Sequence, residues 1–208
     1  MNKLKAIITS TFMLSLSSCA LIIEDRKPDR VDNACYILKE NKSWNRSLYY
    51  AEKNWNVPKH VILSIMHQES SFNHDARPVE GTFLWFFTTY KSTARGYAQA
   101  LDLTWEEYKK LNDKGFFSSR ESFNDSSDFM GWYIHRTHMQ TGIPKWDAGE
   151  LYLAYHEGNG GYLKKTYLKK PFLIKAADAV KRRSWKYERQ LKECDWDVGF
   201  IDKIIYKY

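Results

Sequence analysis

From Val31 onward the apolar residues recur mostly at three- and four-residue intervals, the period of one face of an α-helix. That spacing predicts helices near Ser47–Lys53, Pro58–Ser71, Thr104–Leu111, Ser127–Thr141, Asp147–His156 and Ile174–Leu191. The expected class is therefore mainly α. Thr104 with Glu107 reads as a capping box, and Asp147 with Glu150 resembles one. Pro58 suits a first helical turn, and Gly142 followed by Ile-Pro suits a helix stop. "GTFLWFFTTYKST", Gly81 to Thr93, is rich in aromatic and β-branched residues and predicts a hairpin or a packed loop. "EGNGGY", Glu157 to Tyr162, is too rich in glycine for a helix.

One helix face carries an anomaly. Ile62, Ile65 and Met66 line one side of the second predicted helix, and the next position on that side is Glu69. A carboxylate there is paired, exposed at the helix end, or held in a partly dry site. Desolvation disfavours the charged form and raises the pKa, which is what a general acid working near neutral pH requires. Glycosidic oxygen is a poor leaving group unless it is protonated as the bond breaks, so a proton-bearing carboxyl is the usual tool for cutting glycans. For an isolated Glu, an ordinary polar residue near a helix end is the better explanation of the pattern.

The chain begins with Lys3 and Lys5, an uncharged run from Ala6 to Leu16, and "LSSC", Leu16 to Cys19. A basic start, a short apolar run and small residues before a cut site read as an export signal, and the run is too short to span a bilayer. Leu-Ser-Ser-Cys resembles the bacterial lipobox, which implies a signal over residues 1–18 and lipidation of Cys19. Residues 19–30 then form a charged tether and 31–208 a single domain, which about 190 mature residues can furnish with a core. Ala20 rather than Asp after the cysteine points to the outer membrane, facing the periplasm. Two cysteines remain, Cys35 and Cys194, and an even pair in an oxidising compartment suggests a disulfide.

The net charge is +7, and losing Lys3 and Lys5 with the signal brings it to +5. The cations concentrate in "YLKKTYLKKPFLIK" and "VKRRSWKYERQLK". A basic surface often means nucleic acid, which an exported lipoprotein rarely meets. Acidic envelope polymers fit the compartment better, and a solvated basic face with no partner fits as well.

"ESSFNHDA", Glu69 to Ala76, resembles the Glu-Ser motif of the lytic transglycosylases, goose-lysozyme-like enzymes that cut peptidoglycan. "GYAQA", Gly96 to Ala100, stands where the family has Gly-Leu-Met-Gln. "AYHEGNGGY", Ala154 to Tyr162, stands where it has Ala-Tyr-Asn-Ala-Gly. The three occur in the family's order over a motif core of about residues 55–162. The resemblance implies a mostly helical lysozyme-like domain with a groove for peptidoglycan glycan strands, and no metal or cofactor. Carried over by position, it implies Glu69 as the acid/base, Ser70 holding substrate, Gln99 lining the groove and Tyr155 orienting the carboxyl. Tyr97 replaces Leu and offers a face for a sugar. Gly96, Gly158, Gly160 and Gly161 allow close backbone approach.

The departures keep alternatives open. His156 and Glu157 place a titratable pair beside Tyr155. A lysozyme-type hydrolase would need a second carboxylate, for which Asp75, Glu80, Asp102 and Glu157 are available. A non-catalytic peptidoglycan-binding lipoprotein would keep the groove and lose the chemistry. A metallopeptidase would use His135, His138 or His156, but no His-Glu-x-x-His pattern occurs.

Overall fold

The computed structural model describes residues 26–78 and 92–194. Among them are seven α-helices and no β-strand, in agreement with the mainly α expectation. The helices are α1 (Ala34–Glu40), α2 (Lys42–Trp55), α3 (Lys59–Ser70), α4 (Asp102–Leu111), α5 (Phe123–Thr141), α6 (Ala148–Leu163) and α7 (Pro171–Glu193). A short 3-10 turn, Thr166–Lys169, joins the last two. The leader, the lipidation site Cys19 and most of the expected Gly81–Thr93 hairpin or loop lie outside the described residues.

The ends of the helices follow their capping chemistry. The Asn33 side chain accepts from the amides of Cys35 and Tyr36 and starts α1. Ser122 and Asp147 cap α5 and α6 through the amides of Asp125 and Glu150. Gly142 ends α5 in the left-handed region, as its position predicts. Pro58 is the residue immediately before α3, and Pro171 opens α7.

Three expectations are corrected. α1 was not among the predicted helices. The Thr104–Glu107 box does not form: α4 starts two residues earlier, at Asp102, with Leu101 as its cap. α6 does not stop at His156. It continues to Leu163 across a kink at Gly158, whose φ of 71° and ψ of 156° only glycine adopts easily. Asn159 anchors the continuation to α5, accepting from Thr137 at 3.0 Å and donating to Gln140 at 2.6 Å.

α3 is the central helix, with every residue from Val61 to Met66 buried. A helix apolar all round belongs inside a domain. α7 packs along it and along α6, while α2 packs along α5. The α2–α5 approach needs Gly131, since a Cβ there would stand 2.6 Å from the Trp55 ring. The Trp55 indole then donates to Asp128 at 2.8 Å, which also accepts from Tyr108 at 2.6 Å and pairs with Lys114 at 2.7 Å. A half-buried carboxylate supplied with three donors is satisfied, and it pins α2, α4 and α5 together.

Cys35 and Cys194 form a disulfide, with Cα atoms 5.7 Å apart, between the start of α1 and the end of α7. The bridge spans 159 positions. In the chain-entropy account, closing a loop of that size is worth on the order of 5 kcal/mol.

Candidate active site

Glu69 occupies the last turn of α3. The chain then turns sharply, with Ser71 and Phe72 both at positive φ. Two such non-glycine residues in succession are costly, and they persist only where surrounding contacts fix them. Phe72 supplies one such contact: it is fully buried against Trp44 and the His67 ring.

Ser70 supplies another. Its hydroxyl donates to the Tyr97 carbonyl at 2.8 Å and accepts from the Phe72 amide at 3.1 Å. The first motif is thereby tied to the second. Gln99 strengthens the tie, its side-chain amide donating to the carbonyls of Ala76 and Gly96 at 2.8 and 2.9 Å. Gly96, at φ 75°, sits so close to Arg120 that a Cβ would lie 2.0 Å from its carbonyl oxygen. The close approach this glycine allows is therefore to the protein's own backbone rather than to a sugar. The third motif joins through Tyr155, whose hydroxyl donates to the Ala98 carbonyl at 2.5 Å. Three segments, remote in sequence, meet at the end of α3.

Tyr97 corrects a further expectation. It is 0% exposed, and its ring packs edge-on against Trp44 and Phe123, which stack on each other at 3.8 Å. Its face is core and is not available to a sugar.

Glu69 is half-buried as a residue, and its carboxyl is the desolvated part. Among the described residues no hydrogen bond or ion pair reaches it. Desolvation alone pushes its pKa up to about 8, so it carries its proton at neutral pH. Tyr155 and Tyr152, one turn apart on α6, are the titratable groups that feel its charge; burial first, and then Glu69, raise both phenols well above their ordinary value. Tyr152 is only 6% exposed and was not singled out from the sequence. Its place three residues before Tyr155, on the same helix face, was the available signal.

A match to the family described as the transglycosylase SLT domain covers residues 7–194, nearly the whole chain. The chain belongs to that family. No curated protein matches it.

For a lytic transglycosylase domain the position of other carboxylates matters. Asp75 is exposed on the turn after α3. Asp102 pairs with Arg120 at 2.7 Å. Glu80 lies outside the described residues. The Glu157 side chain is 4% exposed and engaged by three donors: it meets Lys170 at 2.7 Å and His156 at 3.0 Å, and accepts from the Thr166 hydroxyl. Burial pushes its pKa up, but these three donors outweigh burial and hold it below the usual range. The titratable pair beside Tyr155 is thus a closed ionic cluster. The other two histidines considered for a metal are occupied elsewhere, His135 with Lys145 and His138 with the Ile143 carbonyl, both at 2.8 Å.

Proposed function

We propose that the protein is a peptidoglycan lytic transglycosylase with Glu69 as its single general acid/base. The observation that carries this reading is the proton-bearing, unpartnered carboxyl where the three family motifs meet. A general acid must hold its proton until the substrate arrives, and the desolvated end of α3 does that without help from a second charge.

The reaction follows from one carboxyl. Glu69 donates its proton to the oxygen linking C1 of N-acetylmuramic acid to the 4-position of N-acetylglucosamine, and the C1–O bond breaks. The muramyl N-acetyl oxygen closes on C1 and carries the developing positive charge, so no protein nucleophile is required. The Glu69 carboxylate then removes the proton from the muramyl 6-hydroxyl. That oxygen attacks C1, expels the N-acetyl oxygen and leaves a 1,6-anhydro sugar, with Glu69 protonated again. A two-carboxylate hydrolase needs a partner for Glu69; among the described residues no acidic group contributes to its shift.

Ser70, Gln99 and Tyr155 serve this chemistry by holding the loop after α3 and the Gly96–Ala100 turn in register. A catalytic group needs its supporting shell fixed in this way. The leader and lipobox support export and lipid anchoring at Cys19, on the periplasmic face of the outer membrane. There the substrate is the glycan strand of the wall.

The test is mass spectrometry of the soluble products released from peptidoglycan by the purified protein, beside Glu69→Gln. Anhydro-muropeptides from the wild type alone are expected. Products heavier by one water would make the enzyme a hydrolase, and a wild type that binds sacculi but releases nothing would make it a binding protein.

A further inference from the structure

α7 is two-sided. Leu173, Ala177, Val180, Ser184 and Tyr187 are buried along α3 and α6. The outer side presents Arg182, Trp185 and Arg189 around an open cleft that Lys186 and Glu188 complete. Trp185 is 51% exposed and carries the Lys181 ammonium 5.3 Å above its ring. Between Lys181 and Glu193 the helix holds six cations and two acids. Of the acids, Glu188 pairs with Lys192 at 2.7 Å, and Glu193 lies at the far end as the last helical residue.

The same half of α7 receives the incoming N-terminal chain. Tyr187 donates to the Val31 carbonyl, Lys186 pairs with Asp32 at 3.1 Å, Gln190 accepts from the Ala34 amide at 2.9 Å, and Cys194 is bonded to Cys35. The described chain begins at Arg26, whose carbonyl accepts from the Asn41 side chain at 3.0 Å beside α1, the helix that packs on α7; Cys19 precedes it by seven residues, which span at most about 25 Å when fully extended. A lipid on Cys19 therefore keeps this part of α7 close to the bilayer.

We propose that the outer face of α7, centred on Trp185 with Arg182 and Arg189, is a membrane-apposed surface for anionic phospholipid headgroups. A half-exposed indole flanked by cations suits the headgroup layer, where the ring lies at the polar–apolar boundary and the cations meet phosphate. The opposite side of the helix packs on α3 and α6, so docking this way keeps those helices off the lipid. The orientation rests on the lipid-anchor reading; the affinity of the face for anionic lipid does not.

The chain from Ala20 onward, which keeps every described residue and lacks the lipid, is floated with vesicles of phosphatidylethanolamine and phosphatidylglycerol, and separately with neutral phosphatidylcholine vesicles. Binding to the anionic vesicles alone is expected, weakened by salt. The double reversal Arg182→Glu/Arg189→Glu should lower the partition coefficient by about tenfold or more, and Trp185→Ala should lower it further on its own background. An equal reversal at Lys42 and Lys110, exposed on α2 and α4, should cost far less. Equal losses from both pairs, or no binding to anionic vesicles, would overturn the proposal. So would binding that moves to purified sacculi and depends there on Arg182 and Arg189, since the face would then belong to the wall. The mass of the mature N-terminus reads lipidation separately: an unmodified Cys19 with vesicle binding intact removes the anchor and leaves the lipid surface standing.

Discussion

Glu69 and Glu157 are the same residue, each withdrawn from solvent, each within reach of Tyr155 or adjacent to it. Burial pushes both pKa values upward. At Glu157, Lys170, Thr166 and His156 reverse the sign; at Glu69 none of the described residues does. Desolvation is thus common to both sites, and the donor set decides which carboxyl stores a proton and which stores a charge. Among the described residues one glutamate has three donors and the other has none, which separates a structural role from a chemical one.

The sharpest way to break that contrast is Glu69→Gln. The amide keeps the shape and cannot transfer the proton, so kcat for release of soluble fragments should fall by about 10² to 10⁴ or more, with the thermal midpoint unchanged or raised. Most of the wild-type rate surviving would remove Glu69 from the mechanism. In the wild type, kcat/KM should decline as pH climbs past about 8, where Glu69 loses its proton.

Stability should show the contrast with opposite signs. The folded pKa of Glu69 lies above the 4.5 of the free side chain, so between about 4.5 and 8 the folded state binds more protons than the unfolded one. Its contribution is therefore full in acid and lost as pH rises through that window. Glu157, with a depressed pKa, contributes stability above the ordinary carboxylate range and loses it as pH falls through its folded value. Thermal unfolding against pH should become less alkali-sensitive in Glu69→Gln and less acid-sensitive in Glu157→Gln. Matching profiles for the two variants would erase the distinction. At neutral pH, Glu157→Gln should also cost about 2 kcal/mol by weakening charged hydrogen bonds to Lys170 and His156, while lytic activity at permissive temperature stays within a few-fold of wild type.

Much of this contrast was legible in the sequence, for identifiable reasons. Six helices announce themselves by period, and Glu69 stood out because it interrupts one. Cys35 and Cys194 were countable, but their meeting depends on α7 running back past α1. Tyr97 was misread because an aromatic ring suits a sugar and a core equally, and only the surrounding Trp44 and Phe123 decide. The kinked end of α6 was hidden because local glycine propensity argues against a helix, while the Asn159 bonds that hold it come from α5. Glu157 looked like a candidate second carboxylate because Lys170 and Thr166, which neutralise that role, lie more than a helical turn further along the chain.

Ser70→Ala makes the smallest and most informative change. It removes no charge and no large volume, and it leaves the Glu69 side chain untouched. What it removes is the 2.8 Å bond to the Tyr97 carbonyl, one of the direct links between the first two motifs, and the acceptor for the Phe72 amide in a backbone already at positive φ. A stability loss of about 1 kcal/mol is expected. If Ser70 positions the loop, kcat should fall by more than that loss explains while KM moves little, because the acid's setting is disturbed and the glycan's other contacts are not. Ser70→Thr, which keeps the hydroxyl, should recover most of kcat. Were Ser70 instead a direct substrate contact, KM would rise in Ala and the pH limb near 8 would stay where it is; a shifted limb would place its influence on Glu69.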